Sequence, residues 1–88
     1  MDSPSDLARA DALLDELIAQ QRQKVLAIAR QLLPKLSSED VLNPDGYPLL
    51  RSDMIFNYED GLLAGLLTAQ MALRARLRNV DSGRTGGA

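Results

Sequence analysis

The chain has 88 residues and a formal net charge of −2, and 45% of it is hydrophobic although only Tyr47, Phe56 and Tyr58 are aromatic. A domain this small buries only about 60% of the surface its unfolded chain exposes, so its interior is thin for that much aliphatic side chain. Without Cys or His, disulfides, thiolate nucleophiles, zinc ribbons, iron–sulfur clusters, Ser–His–Asp triads and imidazole pH switches are all excluded.

The first predicted element is a helix over residues 4–33. Ser3 is placed as an N-cap, Pro4 suits the first helical position and Asp6 has the spacing of a capping box. Acids (Asp6, Asp11, Asp15, Glu16) come early and bases (Arg22, Lys24, Arg30, Lys35) late, as the helix dipole favours. Leu7, Leu14, Ile18, Val25, Ile28, Leu32 and Leu36 recur at helical spacing, and Leu13, Leu17, Leu26 and Leu33 widen the stripe. Pro34 ends or kinks the helix. Gln21 falls between Ile18 and Val25. It reads either as a buried polar residue that fixes register or as a solvated edge position.

Residues 34–57 form a crossover too long and too apolar to be a structureless loop. Ser37 and Ser38 before Glu39-Asp40-Val41-Leu42 predict a capped short helix or turn. Asn43-Pro44-Asp45-Gly46 predicts a turn in which Pro presets φ and Gly tolerates positive φ, with Tyr47-Pro48 continuing extended. The three aromatics lie here with Met54 and Ile55. They read either as a cap on the open end of a hairpin or as a partner surface, with Tyr47, Met54, Phe56 and Tyr58 as its candidates.

A second helix is predicted over 58–80, with Asn57 as N-cap and Glu59 and Asp60 in its first turn. At about 1.5 Å per residue the two helices would be roughly 45 and 33 Å long, so the first would overhang and the crossover would fold onto it. Antiparallel packing would bring Asp6, Asp11 and Asp15 near Arg74, Arg76 and Arg78. Residues 81–88 carry no apolar periodicity and read as a disordered tail.

Residues 61–73 are apolar around almost the whole helix. Leu62, Leu66, Ala69, Leu73, Leu77 and Val80 make one stripe, and Leu63, Leu67 and Met71 another. Gly61, Ala64, Gly65, Thr68, Ala72 and Ala75 make a face of small residues. One partner helix cannot cover all three. Gly65 lies well inside the helix, where Gly costs about 1 kcal/mol relative to Ala. That suggests close approach of another helix, either the first helix or one from a second copy.

No constellation here carries recognisable chemistry. Asp40, Asp45, Asp53, Glu59 and Asp60 could offer oxygen ligands to Mg²⁺ or Ca²⁺, but their spacing fits no EF-hand and each reads more simply as cap, turn or surface. Arg74, Arg76, Arg78 and Arg84 could touch phosphate, yet they lack stacking aromatics and read as charge compensation at a helix end. The N-terminal residues lack a basic region and an apolar stretch, and no run reaches the about 20 residues a membrane span needs. A cytoplasmic protein outside the membrane is expected.

The expected fold is therefore all-α: a long antiparallel helical hairpin, in a single domain over 1–80, that dimerises into a four-helix bundle. The expected function is a non-enzymatic interaction module, a dimeric adaptor, scaffold or regulator, with no catalytic residue, cofactor or metal. Its first partner is itself, and another protein is the variant of that reading. The expected interface is Gly61, Leu62, Leu63, Gly65, Leu66, Leu67, Ala69, Met71, Ala72 and Leu73. Nucleic-acid binding through Arg74, Arg76 and Arg78 is the alternative, and a carboxylate metal site the weaker one.

Overall fold

The computed structural model describes residues 4–83. The chain forms helix α1 (Pro4–Leu32), a short α2 (Ser38–Val41), a 3₁₀ turn (Pro44–Gly46), a short α3 (Pro48–Ser52) and a long α4 (Met54–Gly83), with no strand among the described residues. α1 and α4 pack antiparallel as a hairpin, and the molecule measures 53 × 20 × 20 Å.

Pro34 stops α1, as its missing N–H and fixed φ require. The last turn closes with Leu33 N–H on the Ala29 carbonyl at 2.8 Å, and the Arg30 Nε donates to the Leu36 carbonyl at 2.8 Å. α2 is opened by a reciprocal capping box. Asp40 N–H donates to Ser37 Oγ at 3.1 Å, and Ser37 N–H donates to Asp40 Oδ2 at 3.0 Å. The Ser37 N–H, followed by the Ser37 side chain, holds the Asp40 carboxyl below its ordinary range.

Three expectations are corrected in the crossover. The 43–46 turn forms, but Gly46 does not take positive φ. Tyr47 is extended as expected, but the chain does not continue so: Pro48 occupies the first turn of α3, where its absent N–H leaves no bond unmade. The long second helix starts at Met54 rather than Tyr58. Asp53, not Asn57, caps it: its carboxylate accepts from Phe56 N–H at 2.7 Å. Asn57 lies inside the helix, and its side-chain amide donates to the carbonyls of Arg51 and Asp53, each at 2.8 Å, tying the end of α3 to the start of α4. The expected overhang consequently disappears, since α1 and α4 have 29 and 30 residues. At its other end α4 runs on through residues 81–83. Of the predicted tail, residues 84–88 lie outside the described residues.

The core sits at the crossover end. Val25, Ala29, Leu36, Val41, Leu50, Phe56 and Leu63 form one buried cluster, with Ala29, Leu50 and Phe56 fully enclosed. Ile18 is the one buried hydrophobic residue of α1 further toward its N-terminus. There the fold is two helices thick, and no third element among the described residues covers them. No described helix is long and apolar enough to cross a membrane.

Candidate interaction surface

Three polar contacts fix how the two long helices face each other. Gln21 of α1 meets Glu59 of α4, Asp15 meets Gln70, and Asp11 meets Arg74. Glu59 is 8% exposed. Its Oε1 accepts from Gln21 Nε2 at 2.8 Å and its Oε2 lies 3.2 Å from Lys24 Nζ. The Gln21 hydrogen bond, then Lys24, hold its carboxyl below the usual glutamate range against the opposing effect of burial. Gln70, also buried, donates to Asp15 Oδ1 at 2.7 Å. Gln21 falls between its two readings: it is half-buried, and its amide bonds Glu59 across the hairpin.

Arg74 reaches across to both acids of the facing helix. Its Nε and Nη2 donate to the two Asp11 oxygens at 2.9 and 3.3 Å, and Nη2 also reaches Asp15 Oδ1 at 3.3 Å. Those acids raise the guanidinium pKa further. Asp6 pairs with Arg9 on its own helix at 3.7 Å. Four of the five carboxylates offered as metal ligands have structural work: Asp45 pairs with Arg51 at 2.8 Å, Asp40 and Asp53 are caps, and Glu59 is bonded as above, while Asp60 lines a groove between the long helices. No group of three or more acids among the described residues is placed to hold a metal ion.

The Gln21–Glu59 contact marks one side of the hairpin. Leu17 and Leu13 lie four and eight residues before Gln21, and Leu62 and Leu66 lie three and seven after Glu59. Helical spacing therefore brings all four to that side, with Ala69 and Leu73 continuing it. Leu13, Leu17 and Leu62 are 56%, 39% and 44% exposed, and at the crossover end of the same side Ile55 and Tyr58 are 65% and 66% exposed. The result is a two-helix apolar face that the chain leaves uncovered.

The opposite side is a different surface. A groove of about 360 Å³ runs between Arg22 and Leu26 of α1 and Asp60, Ala64 and Leu67 of α4, with Val41, Leu42 and Pro44 also lining it.

The residues expected at an interface divide among these surfaces. Leu62, Leu66, Ala69 and Leu73 lie on the uncovered face. Leu63 is buried in the chain's own core, and Leu67 is half-buried on the groove side, with Met71 exposed four residues further on. Gly61, Gly65 and Ala72 point outward and are exposed. A Cβ on either glycine would meet nothing within 4 Å, so α1 is not the close neighbour of this small-residue face. The aromatic group also splits: Phe56 is core, Tyr47 is half-buried, and Met54 and Tyr58 are exposed. Leu13 and Leu17 were read as part of the packing stripe of the first helix, and Ile55 as a neighbour of the aromatics, so none of the three was placed at an interface. The available signal was that the leucines of the first helix span more arc than one facing helix covers.

In comparisons with known proteins, no family, no curated protein and no solved structure matches the chain.

Proposed function

We propose that this chain is a non-enzymatic helical interaction module that works as a homodimer, its uncovered face closing against that of a second copy to give a four-helix bundle. The observation that carries this reading is the convergence of Leu13 and Leu17 from α1 with Ile55, Tyr58 and Leu62 from α4 on one side, all substantially exposed. Their exposed parts amount to roughly several hundred Å², the size of the largest apolar patch on a monomer, which is often functional. A second hairpin would also give the two-layer end of the molecule the cover that the crossover supplies at the other. An adaptor or scaffold role in the cytoplasm fits a chain that lacks cysteine. The phosphate-binding alternative is weakened by Arg74, whose guanidinium is already held by Asp11 and Asp15.

Light scattering on the eluting protein tests the reading. Wild type is expected to run as a dimer, and the double substitution Leu17→Glu/Leu62→Glu as a helical monomer. A dimer unaffected by that pair would place the interface elsewhere.

A further inference from the structure

The uncovered face is self-complementary, and we infer that its occupant is a second copy of this chain related by a two-fold axis perpendicular to the long helices, so that α1 packs antiparallel on α1 and α4 on α4. This inference rests on the homodimer reading and adds its orientation and register.

The support is a symmetry in the residues themselves. On α1, Asp6, Leu13, Leu17 and Lys24 lie within an arc of about 40°, taking about 100° per residue. Their separations are 7, 4 and 7 residues, symmetric about Asp15, with opposite charges at the two ends. Reversing one copy against the other sets Asp6 opposite Lys24 of the partner subunit and Leu13 opposite Leu17 of the partner subunit. The stripe on α4 behaves the same way. Leu62 and Leu73, and Leu66 and Ala69, are equidistant from a midpoint between Leu67 and Thr68.

The two midpoints belong to two different helices, and the fold sets them at one level. The contacts Gln21–Glu59, Asp15–Gln70 and Asp11–Arg74 bracket Asp15 against residues 65–70 of α4. One axis through that level therefore satisfies both stripes at once. Lys24 and Asp6 keep more than half of their side chains exposed despite their pairs with Glu59 and Arg9. Each can face an additional opposite charge across the interface. A two-fold along the rod would set α1 against α4 of the partner, and the symmetric spacings would then match nothing.

Because the chain has no cysteine, a single Ser52→Cys carries a spin label at one defined place. Ser52 is exposed and lies just before the start of α4, at the crossover end. Electron–electron distance measurement on the labelled protein, with its mass read in parallel by light scattering, gives three outcomes. A dimer with labels about 50 Å apart along the rod supports the antiparallel two-fold. A dimer with labels within about 25 Å overturns it while leaving the homodimer reading intact. A monomer at high micromolar concentration overturns both.

Discussion

Gln21 and Glu59 meet across the two long helices through one amide nitrogen, which donates at 2.8 Å to the Glu59 carboxylate and at 2.8 Å to its backbone carbonyl. A side chain that bonds both the head group and the main chain of one residue fixes level and rotation together. Lys24, three residues beyond Gln21, completes the cluster from the same helix. A seam of leucines and alanines could slide by a turn at little energetic cost. This cluster cannot slide without leaving a buried carboxylate unpaired, and unpaired buried charge is strongly disfavoured.

The pH dependence follows from that pairing. A carboxyl held below 4.5 in the folded state stabilises the fold above that value, and the contribution is lost as pH falls below it. Asp40, held down by its capping box, acts with the same sign. Melting temperature is expected to fall between pH 5 and 3, and to fall less steeply in Glu59→Gln. Equal slopes for wild type and variant would remove Glu59 from the account.

The crossover core sets the stability of the fold. Phe56 and Leu50 are fully enclosed, and truncating a buried Phe or Leu to Ala costs about 3–5 and 2–5 kcal/mol respectively. A domain of this size has only about 5–10 kcal/mol in total. Phe56→Ala and Leu50→Ala should therefore each lose a large share of the urea midpoint. Met54→Ala, two residues from Phe56 but exposed, should lose almost none.

Gly65 carries a prediction of opposite sign. It lies in the middle of α4 with open space where a Cβ would go, so Gly65→Ala is expected to stabilise by about 0.5–1 kcal/mol. Loss of stability on that substitution would show that something packs closely on the outward face.

Much of the architecture was legible in the residues because it rests on local chemistry. Pro34 falls where a helix would otherwise continue and ends or kinks it, and Ser37 with Asp40 three residues later forms a capping box. The start of α4 was misread because Asp53 and Asn57 offer equivalent caps four residues apart. The choice was settled by tertiary contacts, with Phe56 needing burial and Asn57 finding the carbonyls of α3. The surfaces of α4 were harder. Residues 61–73 are apolar on every side, so periodicity separated three stripes without saying which one faces α1. The contacts of Gln21, Asp15 and Asp11 with Glu59, Gln70 and Arg74 set that rotation, and they join residues 38, 55 and 63 positions apart. Those same contacts move Leu63 inward, leave Leu62 outside, and bring Leu13 and Leu17 alongside it.

The most direct test of the central claim is the mass of the wild-type protein in solution, measured by sedimentation equilibrium across the micromolar range. The homodimer account predicts a species of twice 9.6 kDa that shifts to 9.6 kDa in Leu17→Glu/Leu62→Glu. A wild-type chain that stays at 9.6 kDa at every concentration would contradict it.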